Sequence, residues 1–205
     1  TFYNHMWGGG NILEIIAKDK HILIKKMEAN EVDFHMYLKW MTDPETMKYW
    51  EGMTEHFTYS RVIENYWENI REQVEQCIIE YDQEPIGFCQ YCLLNAEYYE
   101  VPVQQYEKFV SQTDTVYGID IFIGEVPFRN RGIGTESMTL LIKALFEHFH
   151  ADVILIDPKV HNARAIRCYH KSGFEEYFVV PHRELQDGIY HDSLIMGIRN
   201  PKNNA

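Results

Sequence analysis

The chain lacks any apolar run long enough to cross a bilayer. Its longest stretches, such as Val153-Ile154-Leu155-Ile156, fall far short of the roughly 20 residues that a spanning helix needs. No charged, apolar and small-residue cleavage pattern opens it, so a soluble cytoplasmic protein is expected. Cysteine is scarce: of Cys77, Cys89, Cys92 and Cys168, only Cys89 and Cys92 have a metal-like or redox-like spacing. Those two lie in a run that reads as a strand, where residues three apart face opposite ways, so reduced thiols and no metal are expected. Cationic residues are few, 19 against 31 acidic, and the net charge of -12 disfavours nucleic acid or an anionic membrane as partner. A cationic partner would be attracted, although an acidic surplus also serves simple solubility. Internal repeats and low-complexity blocks are absent as well.

What is present is enough for one sizeable core: 205 residues, 45% of them hydrophobic. Residues 1–20 carry an apolar-glycine cluster without helix caps or a committed period and read as an appendage. The domain proper is expected over 21–199, with a tail at 200–205. A strand at Ile22-Leu23-Ile24 leads to a helix capped by Asn30, with Phe34, Tyr37, Leu38 and Met41 at helical spacing and Pro44 as its exit. A second helix spans about 60–71, followed by strands over 76–81 and 86–94, antiparallel through the turn Asp82-Gln83-Glu84-Pro85. The segment from Asn95 to Thr115 is longer than a connection requires and is expected to be functional. An apolar strand over 116–124, a helix over about 132–149, a buried strand over 153–156, a helix over about 162–172 stopped by Gly173, a strand from Phe174 and a last strand over 191–198 complete the order. The pattern predicts an α/β or α+β domain around a mixed sheet.

The sharpest local signal is Arg129-Asn130-Arg131-Gly132-Ile133-Gly134-Thr135, placed between an apolar strand and an amphipathic helix. Small residues there let backbone N–H groups approach an anion, and the helix start adds its positive dipole end, so a pyrophosphate would fit. The segment has neither the Gly-Lys-Ser/Thr ending of a P-loop nor the third glycine of a dinucleotide fingerprint.

Arg-x-x-Gly-x-Gly after a strand resembles the acetyl-CoA loop of the GNAT acyltransferase superfamily. The later segment from Asn162 to Phe174, with Tyr169 and the closing Gly173-Phe174, is similar to that superfamily's second coenzyme-contacting segment. The resemblance extends, roughly from His21 to Arg199, to the aminoglycoside 6'-N-acetyltransferases. It is carried by Leu38-Lys39-Trp40, Tyr49-Trp50-Glu51-Gly52, Glu84 to Gln90, Tyr117-Gly118-Ile119-Asp120, Ile156-Asp157-Pro158 and Ala165 to Tyr169. The loop from Asn95 to Thr115 and the segment Glu125-Val126-Pro127-Phe128 depart from the group's pattern.

The resemblance implies a GNAT fold, with a mostly antiparallel twisted sheet flanked by helices, acetyl-CoA as coenzyme, and transfer of its acetyl group to an amine, the basis of antibiotic resistance in that group. Asp120, a lone carboxylate in an apolar strand, would face the acceptor amine as base or as electrostatic anchor. Tyr169 would be the general acid. Backbone groups of Ile121, Phe122 and Ile123 would pair with the pantetheine arm, and Asn162 with its amides; Ala165 lies in the same segment. Arg129 and Arg131 would offset phosphate charge at the loop of Asn130, Gly132, Ile133, Gly134 and Thr135. A polycationic sugar calls for carboxylates and aromatic faces, for which Trp40, Tyr49, Trp50, Gln90, Glu97, Glu100 and Asp157 are the candidates. Another amine, such as a siderophore hydroxylamine, a polyamine or a protein N-terminus, would use the same coenzyme residues, and a non-catalytic binding module would retain the fold alone. A monomer or homodimer is expected.

Overall fold

The computed structural model of the chain describes residues 14–204. The elements in order are β1 (Ile15–Lys18), β2 (Ile22–Lys26), α1 (Glu31–Met41), α2 (Pro44–Met47), α3 (Tyr59–Arg71), β3 (Glu75–Tyr81), β4 (Glu84–Leu93), α4 (Val103–Tyr106), β5 (Val116–Ile123), α5 (Ile133–Glu147), β6 (Val153–Ile156), α6 (Ala163–Lys171), β7 (Glu175–Gln186) and β8 (Ile189–Arg199). One eight-stranded sheet runs β1-β2-β3-β4-β5-β6-β8-β7. Every neighbouring pair is antiparallel except β5 and β6. The fold is thus the expected mixed, mostly antiparallel sheet flanked by helices.

Side-chain alternation explains why β3 and β4 read as continuous apolar runs. Cys77 and Ile79 pack into a core with Met138, Leu141 and Leu145 of α5, whereas Ile78 and Phe88 pack into a second core with Phe34, Tyr37 and Met41 of α1. A sheet covered on both faces has no polar side to show. The helices start where capping side chains occur: Asn30, Asp43, Thr58 and Asn162 each accept a backbone N–H three residues on.

Three features differ from the sequence expectation. Ile15–Lys18, assigned to the appendage, forms an edge strand on β2; residues 1–13 lie outside the described residues. Pro44 lies past the end of α1 as expected, but it also opens a further short helix, α2, at its first turn, where its missing N–H costs nothing. The last two strands form a longer hairpin whose tip, Asp187-Gly188, has φ of 53° and 76°, the two left-handed residues of a tight turn matched to strand twist. That tip is tied back to the segment after α2: Asp187 accepts the N–H groups of Met53 and Thr54 at 3.0 and 2.7 Å.

The long segment after β4 is a folded layer of its own. Tyr99, Tyr106 and Val110 are buried against Val153, Leu155 and Ile195 of the sheet. Phe109 stacks on Tyr177 at 4.5 Å, and Arg199 holds Asp114 at 2.9 Å.

Candidate active site

The sheet splits in its centre. β5 and β6 pair only from Val116 to Gly118 with Val153 to Leu155, after which β5 runs on to Ile123 paired with β4 on one edge and with no strand on the other. The opening is a cleft of about 860 Å³. A parallel pair that diverges leaves the backbone of Asp120 to Phe122 facing the gap, an edge that an extended ligand can complete as a further strand.

One half of the cleft suits an anion. Asn130 and Gly132 are left-handed, with φ of 60° and 85°, and turn the chain so that α5 begins with no side-chain cap. Its first N–H groups therefore point outward at the positive end of the helix dipole. Gly134, Thr135, Asn162 and Ala165 line the same wall, Asn162 capping α6 through Ala165 N at 3.2 Å. Ile133 turns inward and is 3% exposed, so only its backbone can serve a ligand.

The arginines of the loop are engaged elsewhere. Arg129 reaches the cleft wall, but its guanidinium is committed to Asp43 at 2.7 Å, to Thr46 at 2.9 Å and to the carbonyls of Ile123 and Gly124 at 2.8 and 2.7 Å. It staples the end of β5 to α2 rather than offering a free charge. Arg131 lies over the Phe128 ring and donates to Pro127 O at 3.3 Å, away from the cleft lining. Arg164, Arg167 and Lys171, spaced to share one face of α6, line the cleft instead. The sequence carried that signal in the helical spacing of the three cations.

The other half suits a cation. Asp120 receives a hydrogen bond from Gln90 Nε2 at 2.9 Å, a consequence of the direct pairing of Gln90 with Asp120 across β4 and β5. Burial, reinforced by the charge of Asp157, pushes the Asp120 carboxyl up to about 7. Asp157, at the end of β6, is raised by burial too, while Arg183 pulls the other way at 3.3 Å. Tyr169 faces the cleft from α6; burial and then Asp120 raise its phenol well above the ordinary range, so it keeps its proton. Tyr49, Trp50 and Glu100 also line the cleft.

Two expected acceptor residues lie elsewhere. Trp40 is 1% exposed and sits in the core, its indole N–H donating to Glu125 at 2.9 Å and its ring against Phe122. It packs on Gly124 so closely that a Cβ there would meet the ring at 2.3 Å. Glu97 is exposed in the turn after β4 and is not part of the cleft lining. Sequence reasoning missed Tyr98, Lys159, Arg183 and Glu184, which β6, β7 and the long segment bring to the cleft. Lys159 is 6% exposed and pairs with Glu184 at 2.7 Å.

A splayed sheet with a bared helix start and a proton-holding pair beside it is the arrangement of an acyl-group transferase. The family model of the acetyltransferase (GNAT) domain matches residues 29–180. An aminoglycoside N(6')-acetyltransferase type 1 of Klebsiella pneumoniae is 31% identical over 151 residues, 71% of this chain and 70% of that protein. The structure of AAC(6')-Ib in complex with ribostamycin and coenzyme A has a TM-score of 0.71 at 24% identity, covering 90% of this chain and 97% of that one. RimL, a ribosomal alpha-N-protein acetyltransferase, has a TM-score of 0.72 at 13% identity, covering 95% and 99%. The chain belongs to the GNAT acetyltransferase family. It is an acetyl-CoA-dependent acetyltransferase related to the aminoglycoside 6'-acetyltransferases. Among the described residues no helix is long and apolar enough to cross a membrane.

Proposed function

We propose that the enzyme acetylates the 6'-amine of aminoglycoside antibiotics in the cytoplasm. The observation that carries this reading is the Asp120 and Asp157 pair at the base of a cleft walled by Tyr49, Trp50 and Tyr98. Carboxylates beside aromatic faces complement an amino sugar, which presents ammonium groups around an apolar ring face. The 31% identity to an aminoglycoside acetyltransferase along most of both chains supports the same class of acceptor.

The residues fit the coenzyme. The N–H groups at the start of α5 would hold its diphosphate, with Arg164, Arg167 and Lys171 adding positive charge, and the open edge of β5 would pair with its pantetheine arm. Bound there, acetyl-CoA supplies the acetyl group as a thioester.

The protein's own contribution is proton management. A carboxyl poised at about 7 is partly ionised at neutral pH and accepts the proton of an ammonium group; Gln90 fixes one of its oxygens and leaves the other to the amine. Tyr169, which keeps its proton, would give it to the departing sulfur. One backbone N–H within Ile121 to Ile123 would polarise the acyl carbonyl.

A thiol-release assay with acetyl-CoA over aminoglycosides, polyamines and peptides tests the reading. Kanamycin should be turned over, and Asp120→Asn should lower kcat by about 10²- to 10⁴-fold with coenzyme affinity kept. Turnover of peptides or polyamines but no amino sugar would reject it.

A further inference from the structure

Arg183 differs from the other two cleft cations that have a carboxylate partner, Arg129 and Lys159. Arg129 and Lys159 are held by their carboxylates at 2.7 Å each, lengths of strong charge-assisted bonds. Arg183 reaches Asp157 through Nε at 3.3 Å, and its other polar contact, to Tyr98 O, is 3.4 Å long. Both are at the weak end of hydrogen-bond geometry. The guanidinium is positioned instead by aromatic faces, 4.9 Å from the Tyr98 ring centre and 4.7 Å from that of Tyr99. A carboxylate beside two aromatic rings is also the environment in which an alkylammonium is recognised.

The electrostatics give this arrangement a purpose. Asp157 and Asp120 both line the gap; besides burial, the charge of Asp157 opposes ionisation of Asp120, and that of Glu184 opposes ionisation of Asp157. Without a bound cation, an uncompensated pair of carboxylates in a cleft is costly, and Arg183 compensates one of them. A bound amino sugar brings its own positive charge, which makes Arg183 surplus and repels it.

We propose that Arg183 is an internal counter-cation that occupies the Asp157 subsite until an ammonium group of the acceptor takes its place, which makes it a specificity-determining residue. The proposal rests on the acceptor being an amino sugar. An acceptor with a second ammonium near the reacting amine must displace Arg183. An acceptor with a hydroxyl at that place leaves the Arg183–Asp157 pair intact. The loose contacts are what allow exchange, whereas Arg129, bound by four short contacts, is a fixed staple.

Calorimetry in the presence of coenzyme A tests this with two probes, kanamycin, which carries several amines, and 6-amino-6-deoxyglucose, which carries one. Arg183→Met keeps an unbranched stem between the tyrosines and removes the charge; Arg183→Gln is a second uncharged variant should the first fold poorly. The uncharged variant is expected to bind kanamycin about 3- to 10-fold tighter than wild type. Its affinity for the single-amine sugar should change by less than about twofold, and Arg183→Lys should restore the wild-type values. In an Asp157→Asn background the gain for kanamycin should vanish. Equal or weaker kanamycin binding by the uncharged variant, or a gain that persists without Asp157, overturns the proposal. If wild type and variant both bind coenzyme but no amino sugar, the acceptor assignment itself falls, and the counter-cation role falls with it.

Discussion

At the scale of single residues, the cleft holds carboxyl groups whose environment opposes their charge, which has a cost in stability and, on the proposed function, a use in catalysis. Asp120 is raised from 3.8 to about 7 by burial and then by Asp157. A carboxyl that binds its proton more tightly in the folded state than in the unfolded chain favours folding at low pH. That contribution is complete below about 3.8 and is lost as pH rises through about 7. Asp120→Asn removes the ionisable group without changing its size. The variant should therefore unfold at a higher temperature than wild type at pH 8, by about 2–4 °C for each kcal/mol recovered, and the gain should shrink toward zero near pH 4. Thermal unfolding at both pH values checks this, and equal gains at the two would reject the burial account. On the proposed function, the same titration should govern turnover with the opposite sense. If Asp120 accepts the amine's proton, the acid limb of kcat/KM should lie near 7 in wild type and be absent from the residual activity of the Asn variant.

At the scale of elements, the loop before α5 makes the helix start available. Gly132 has φ of 85°, and a Cβ there would meet nothing closer than Glu136 Oε1 at 3.9 Å, so the obstacle to a side chain is conformational rather than steric. A left-handed non-glycine residue costs about 1–2 kcal/mol. Gly132→Ala should relieve that strain by letting the loop turn away, which raises the coenzyme dissociation constant about tenfold. Gly188, with φ of 76° and open space around it, supplies the control: Gly188→Ala bears comparable strain at the hairpin tip and should leave coenzyme binding as in wild type. Calorimetric titration of the two variants with coenzyme A separates a local effect at the helix start from general destabilisation.

The elements that the sequence made legible are those whose burial is periodic or two-sided. The apolar runs of β3 to β6 and the amphipathic stripes of α1, α3 and α5 stood out because each packs into one or more of the buried clusters on the sheet. The hairpin of β7 and β8 was harder to read because its outer half is exposed, with Leu185, Ile189 and Tyr190 all more than half accessible, so no periodic burial marks it. Its Asp-Gly tip was the available signal. Trp40 lies three residues after Tyr37 and next to Met41, a spacing that already put it on the buried face of α1. Arg183 had no local signal: its partners come from β6 and from the segment after β4, and only the sheet order brings them together.

At the scale of the whole molecule, a net charge of -12 surrounds a cleft with two electrical halves. Asp120, Asp157 and Glu100 bring carboxyl groups to the cleft, and Arg164, Arg167 and Lys171 bring cations to it from α6. The long-range field is set by net charge and attracts a polycation while repelling the anionic coenzyme, so the basic face of α6 acts only once the coenzyme is close. Salt screens the long-range part first, because the Debye length falls from about 14 Å at 0.05 M to about 6 Å at 0.3 M. Raising ionic strength across that range should lower kcat/KM for the amino-sugar acceptor several-fold. The coenzyme's kcat/KM should fall less, because screening weakens the repulsion together with the local attraction. Replacing Arg164, Arg167 and Lys171 by alanine removes the attraction and leaves the repulsion, so the coenzyme's kcat/KM in that variant should rise with salt. Steady-state rates of wild type and variant at matched ionic strengths measure both slopes. A parallel decline for both substrates in both proteins would mean that the two halves of the cleft do not act as separate electrical environments.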